Sequence, residues 1–281
     1  MKALSSAFKK LAKILEYILL QMNYWVNKVI NRYCDDFGYQ SICEIGSSRG
    51  EATDKLLISG GRKLTVIDPC LDADLCGKYE NSKRVTICKG LSLEFIPKLP
   101  EVFDCIMIDG DHNWFTVFNE LKEIERRQLL RNGGTVFFHD VGWPYGRRDL
   151  YYQPDQIPSA FRHCYARKGM IHGRSELVSN GGRNSALCNA VIEGGERNGV
   201  LTAIEDFIKQ ACEEYLFFKF NEEDGLGVLV KKNGIKSNML MAKWRFLCKM
   251  WNLFDGSKKA VRQRLPNLYE AVRRGARKSL K

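Results

Sequence analysis

Asp109-Gly110-Asp111-His112 places two carboxylates and an imidazole within four residues, and a second imidazole–carboxylate pair, His139-Asp140, follows. Carboxylate oxygens and imidazole nitrogens bind divalent cations, and an imidazole near neutral pH can also take a proton from a reacting hydroxyl. Each group closes an apolar run, FDCIMID (103–109) and GGTVFFHD (133–140). Runs of this kind read as strands, and in an open parallel sheet ligands bind at the carboxyl ends of the strands. Three carboxylates and two imidazoles are therefore expected to converge on one cleft. Asp109 and Asp111 could instead do no more than cap the helix that follows.

A second group of residues points to what else the cleft holds. EIGSSRG (44–50) reads as a strand-to-helix turn in which Gly46 and Gly50 let the backbone bend and come close to a ligand. It is not the GxGxxG pattern of pyrophosphate sites, and the carboxylate of Glu44 would repel a phosphate. That carboxylate suits a cationic amine. Asp68 closes the next strand, KLTVID (63–68), where an acid accepts hydrogen bonds from ribose hydroxyls. An amine and a ribose without phosphate describe S-adenosylmethionine.

The elements that must position these groups alternate between strand and helix. SICEIG (41–46), KLTVID, RVTICKG (84–90), FDCIMID and GGTVFFHD predict five strands, with a helix over 114–130. A helix over 199–214 precedes YLFFKF and GVLVKK, which read as a hairpin around NEEDGL. The fold class expected is α/β, a doubly wound and mostly parallel sheet. Residues 141–198 break the pattern with a long segment rich in Gly, aromatic and basic residues, among them Trp143, Tyr145, Tyr152 and Arg162. An irregular insertion directly after a site-bearing strand reads as a lid. Its His163 and His172 read as polar loop residues.

Both ends carry amphipathic helices. Over 2–33, Leu4, Phe8, Leu11, Leu15, Ile18, Met22, Trp25 and Val29 recur in heptad spacing, which predicts one long helix packed on the domain, with dimerisation or interfacial roles as alternatives. Over 235–281, Leu240, Trp244, Leu247, Trp251 and Phe254 share a face, with Lys243, Arg245 and Lys249 beside it. The division expected is 1–36 as terminal helix, 37–232 as the main domain including the lid 141–198, and 233–281 as a basic tail.

Charge follows that division. The net +11 of the 281 residues comes from 231–281, where 15 Lys and Arg face two acids; the remainder is near neutral at −2. Anionic partners are therefore sought at the tail, with an anionic membrane surface preferred over nucleic acid because no RNA-binding motif accompanies the basic residues. The ten cysteines show no CxxC pair, which suits reduced thiols in a cytoplasmic protein, and no apolar stretch of membrane-spanning length exists. The expectation is a cytoplasmic protein that sits peripherally on the inner face of the membrane.

Over about residues 38–232 the chain resembles the class I S-adenosylmethionine-dependent methyltransferases. IDGDH, the Gly-Gly turn and FFHD are similar to the branch of macrolide-sugar O-methyltransferases and cephalosporin-hydroxylase-like proteins. The resemblance implies a Rossmann-like seven-stranded sheet. It implies a methyl donor held by Glu44, Gly46, Ser47, Gly50, Asp68, Ser92, Asp109 and Asp111, with Ser92 at the adenine. It also implies magnesium on Asp109 and on the pair after the fifth strand, with His112 as general base. The family pair is Glu-Asp, whereas this chain has His139-Asp140. An imidazole there favours manganese or iron, or faces away from the metal. Together the residues and the resemblance imply a metal-assisted O-methyltransferase acting on a sugar hydroxyl, with a cell-envelope or lipid-linked glycan as the expected acceptor. A non-haem iron hydroxylase using His112, His139 and Asp140, a non-catalytic membrane-associated binding protein and an RNA methyltransferase are the alternatives.

Overall fold

The computed structural model describes residues 25–222, 224–232 and 238–264. Five parallel strands form one side of the sheet: β1 (Ser41–Ile45), β2 (Lys63–Ile67), β3 (Val85–Cys88), β4 (Phe103–Ile108) and β5 (Leu130–His139). The sheet order is β3-β2-β1-β4-β5-β10-β9, where β9 is Tyr215–Phe220 and β10 is Leu226–Lys231. β10 runs antiparallel to both of its neighbours, so the expected hairpin supplies the one reversed strand of a seven-stranded sheet. This is the doubly wound, Rossmann-like architecture expected.

Both faces of the sheet are apolar, as strands covered on both sides must be. Ile42, Val66, Met107 and Phe137 point into one core, against the helical segment that includes a π turn (Val26–Ile30) and α1 (Asn31–Phe37). Their neighbours Cys43, Ile67, Ile108 and Phe138 point into the other. That second core is closed by α5 (Trp114–Arg126) and α6 (Val200–Gln210). The shorter helices α2 (Glu51–Leu56), α3 (Ala73–Tyr79) and α4 (Ser92–Phe95) follow β1, β2 and β3. Because β1 to β5 are parallel, the residues after their last positions share one edge.

The insertion is more ordered than its sequence suggests. β6 (Leu150–Tyr151), β7 (Tyr165–Arg167) and β8 (Cys188–Ala190) form a small antiparallel sheet in the order β6-β8-β7. Asp149, fully buried, ties it to the main domain by accepting from the backbone N–H of Trp114 (2.7 Å) and of Gly199 (2.6 Å) and from the Tyr151 hydroxyl (2.8 Å).

The basic tail is not a free appendage where it is described. Helix α7 (Asn238–Arg264) buries Met241, Trp244 and Cys248 in the first core. The Trp244 ring lies tilted against that of Tyr33, ring centres 5.1 Å apart, and its N–H donates to Asp36 (3.0 Å). Trp251 lies 5.8 Å from Trp25 and donates to Glu222 (2.9 Å). Two of the aromatic residues on the tail's apolar face are thus held by the protein itself, Trp244 buried and Trp251 half-buried, because their ring N–H groups and faces find partners there. The greater part of the N-terminal heptad pattern, 2–24, and the last basic stretch, 265–281, lie outside the described residues. No described helix is long and apolar enough to cross a membrane.

Candidate active site

The tips of β1, β2, β4 and β5 meet as the sequence predicts. The turn after β1 is held from two sides: Gly46 N–H donates to Ile67 (2.9 Å) on β2, and Asp109 N–H donates to Ile45 (2.8 Å). Gly46 has φ +84°, and a Cβ there would fall 2.3 Å from the carbonyl oxygen of Asp109. The glycine is needed for close approach of two strand tips as well as for its backbone angle.

Glu44 is buried at this turn, and its two oxygens differ. Thr53, in the first turns of α2, donates to Oε2 at 2.6 Å and is itself bonded to Ser47 Oγ at 2.7 Å. Oε1 is buried and has no hydrogen-bond partner. Burial, opposed by the Thr53 bond and reinforced by Asp109 and Asp68, pushes the Glu44 carboxyl up to about 8. A cationic amine at Oε1 would satisfy the orphaned oxygen and relieve that cost. On this observation the turn fits the amino-acid end of S-adenosylmethionine.

Asp68 does something the sequence did not announce. Its Oδ2 accepts from the N–H groups of Ser47 (2.8 Å) and Ser48 (2.7 Å), and its Oδ1 accepts from Cys70 N–H (2.6 Å). It pins the glycine turn. About one of a carboxylate's roughly four acceptor positions is left for a ribose hydroxyl. Gly50 (φ +76°) opens α2, where a Cβ would strike Leu75. Ser92 begins α4 and is half-buried.

Asp109, His112, His139 and Asp140 form one cluster. His112 Nε2 lies 2.7 Å from Asp140 Oδ2 and 3.7 Å from Asp109 Oδ1. His139 Nδ1 lies 2.8 Å from the same Asp140 oxygen and 3.1 Å from the same Asp109 oxygen. All four donor atoms fall within 4.8 Å of one another. Adjacent residues on a strand ordinarily point to opposite faces. His139 and Asp140 converge because Asp140 has left the strand with φ +56°. Burial would drive both imidazoles down, but Asp140 and Asp109 reverse this and hold His112 at about 10 and His139 well above its ordinary range. Against the same burial, the imidazoles hold both carboxyls below the carboxylate range.

The remaining expected residues are placed differently. Asp111 accepts from the Thr116 hydroxyl (2.9 Å), and burial raises its carboxyl. The helix cap is neither Asp109 nor Asp111 but Asn113, whose side chain accepts from Thr116 N–H (2.9 Å). His163 Nε2 contacts the Arg197 carbonyl (2.9 Å) and His172 packs on Trp143 (5.2 Å between rings), so neither joins the cluster. The lid supplies its own wall: the Tyr145 and Tyr152 rings stand 5.5 and 5.9 Å from the His112 ring. Thr53 was not singled out in the sequence, where a threonine nine residues after a glutamate carries no signal.

Residues 43–141 match the model of a family described as a methyltransferase domain. No curated protein matches the chain. Among solved structures it is similar to a Staphylococcus aureus protein assigned as a caffeoyl-CoA O-methyltransferase, at 18% identity over 80% of this chain and 91% of that one, TM-score 0.46. It is similar also to a Podospora anserina methyltransferase bound to SAH (16% identity, 75% and 78% covered, TM-score 0.46). A Bacillus cereus O-methyltransferase in complex with SAH is a third (14%, 81% and 91%, TM-score 0.43). At these scores the likeness assigns no substrate to the chain. The segment that matches the methyltransferase domain is the one that carries Glu44, Asp68, Asp109, His112, His139 and Asp140.

Proposed function

We propose that the protein is an S-adenosylmethionine-dependent O-methyltransferase whose acceptor is a sugar hydroxyl. The observation that carries the first part is the open, buried Oε1 of Glu44 at a glycine turn, inside the stretch that matches a methyltransferase domain. Glu44 receives the donor's amine, Gly46 keeps the turn low enough for the ligand to lie over it, and Asp68 fixes that turn. The donor's nucleoside end extends toward Ser92 and Asp111. The acceptor lies on the other side, against the lid, where Tyr145 and Tyr152 offer aromatic faces to a saccharide. His112, beside both carboxylates, is the group placed to take the hydroxyl's proton once a cation on Asp109 and Asp140 offsets the charges that raise it.

The donor set of the cluster does not fit magnesium, which prefers oxygen ligands throughout. A divalent cation of another kind on Asp109, His139 and Asp140 would lower the pKa of an adjacent hydroxyl. Sugars of a membrane-linked glycan suit the positive tail, and a place on the inner face of the membrane follows from that choice. Any membrane contact then falls to tail residues other than the buried Trp244.

The test is transfer of labelled methyl from S-adenosylmethionine to a panel of nucleotide sugars, lipid-linked sugars, catechols and RNA, with donor binding measured separately by calorimetry. Label appearing on a sugar supports the reading. Label on catechol or RNA alone would redirect the acceptor, and failure to bind the donor would end the proposal.

A further inference from the structure

The cluster at the tips of β4 and β5 has a composition that selects its ion. We infer that Asp109, His112, His139 and Asp140 together hold a transition-metal cation of the manganese-to-zinc series, with two imidazole nitrogens and two carboxylate oxygens as donors.

The four donor atoms alternate nitrogen and oxygen around a ring. His112 Nε2, Asp140 Oδ2, His139 Nδ1 and Asp109 Oδ1 are separated in that order by 2.7, 2.8 and 3.1 Å, and 3.7 Å closes the circuit. Bonds of about 2.0–2.2 Å to a tetrahedral centre set donor atoms roughly 3.3–3.6 Å apart, so small outward movements would seat an ion. Every donor comes from a fixed place. Asp109 follows β4, and His139 ends β5. Asp140 is turned inward by its left-handed backbone, and His112 stands at the entry to α5. Three of the four residues are buried and the fourth half-buried, so an ion there would shed most of its water. Magnesium gives up water reluctantly and wants oxygen, whereas imidazole suits zinc, iron and their neighbours. His112 also has a partner for its other nitrogen, since Nδ1 faces the Tyr152 hydroxyl at 3.5 Å, the outer contact that metal-binding histidines commonly have. One nitrogen cannot hold an ion and take a proton at once. His112 is therefore a ligand of the resting site and a base only after leaving the ion.

The inference shares a site with the proposed methyl transfer but does not depend on it. The full chain, stripped with chelator, is titrated with the chlorides of magnesium, manganese, cobalt and zinc. Manganese, cobalt and zinc are each expected to bind at least roughly 100-fold tighter than magnesium. Carboxylate-only sites also rank these ions in this direction, so the decisive readouts concern nitrogen. Pulsed electron paramagnetic resonance of the manganese-loaded protein should show ¹⁴N couplings that weaken in His112→Ala and again in His139→Ala. His139→Asp should narrow the preference over magnesium at least roughly tenfold. His112→Gln, close in size and polarity, guards against misfolding, and each variant is checked by its melting curve. Magnesium binding as tightly as manganese, absent nitrogen couplings, or unchanged affinity in His112→Ala and His112→Gln would overturn the four-donor site. Affinity for S-adenosylmethionine, measured on the stripped protein, tests the methyl-transfer reading and leaves this one untouched.

Discussion

Thr53 donates its hydroxyl proton to one oxygen of Glu44 at 2.6 Å, while the other oxygen of that carboxylate lies buried with no partner. The pair is a half-filled site: Thr53 sets the orientation, and the open oxygen is what a ligand amine would meet. Glu44→Gln should weaken S-adenosylmethionine binding by about 1.5–3 kcal/mol, the range for a hydrogen bond to a charged group, or roughly 10- to 150-fold. Thr53→Val, which leaves the carboxylate but frees its rotation, should cost about 1 kcal/mol. Calorimetric titration of both variants measures this. An undiminished affinity in Glu44→Gln would remove the carboxylate from the amine subsite.

The raised carboxyl of Glu44 gives donor binding a pH signature. Below about 8 the group holds its proton in the free protein, and a cationic amine requires the ionised form. Binding near pH 7 should therefore release a proton, and affinity should rise with pH toward about 8 and fall again where the donor's own amine loses its proton. Titrations in two buffers of different ionisation enthalpy count the protons, and a count of zero at pH 7 contradicts the assignment.

Glu120, on α5, is a second buried carboxyl, and burial, opposed by the Ser92 hydroxyl beside it, pushes it up to about 8. Its ordinary value of 4.5 applies to the unfolded chain. Stability from holding this proton is fully present below about 4.5, declines by about 1.4 kcal/mol per pH unit, and is gone above about 8. Glu120→Leu should therefore gain on the wild type by roughly 4 kcal/mol as pH rises from 5 to 8, and be the more stable of the two at the alkaline end. Calorimetric melting across that range decides it; a pH-independent difference would mean that burial does not raise the carboxyl.

The succession of strands along the chain and the meeting of their tips were legible because burial on both faces leaves an apolar run, as in CIMI (105–108), ended by polar residues at the strand tip. The Asp109–His112 and His139–Asp140 groups could be placed at one edge for the same reason. What the residues do to one another there was not legible. Asp68 looks in the sequence like a ribose acceptor, yet three backbone N–H groups claim most of its capacity. Which of Asp109, Asp111 and Asn113 caps α5 depends on backbone angles, not on type, since all three residues can cap. That adjacent His139 and Asp140 both face the cluster follows from one left-handed residue, which strand periodicity would deny. Helix α7 shows an apolar face in sequence, but periodicity cannot say whether lipid or protein covers it.

Gly46→Ala tests the contact between the β1 and β4 tips. The new Cβ would lie 2.3 Å from Asp109 O and 2.4 Å from its carbonyl carbon, both backbone atoms that cannot rotate away, and φ +84° adds strain for any L side chain. Overpacking of this kind costs about 1–3 kcal/mol. Since the displaced atoms belong to a residue of the site, donor affinity should fall along with the melting temperature. A variant that melts lower but binds the donor normally would show that the glycine serves the fold alone.

Trp244 separates two views of the C-terminal helix. If the helix were an appendage that meets other surfaces, truncating its aromatic residues would leave the domain's stability unchanged. In the structure Trp244 is 3% exposed, its ring lies 5.1 Å from that of Tyr33, and its N–H is bonded to Asp36, which Lys243 also pairs at 2.7 Å. Trp244→Ala should therefore destabilise the protein by about 3–5 kcal/mol, the usual range for emptying a buried tryptophan site, and leave Asp36 one donor short. Phe246, 62% exposed two residues on, is the internal control: Phe246→Ala should change stability by less than about 0.5 kcal/mol. Urea unfolding of the two variants side by side gives the difference, and equal midpoints would detach the helix from the core.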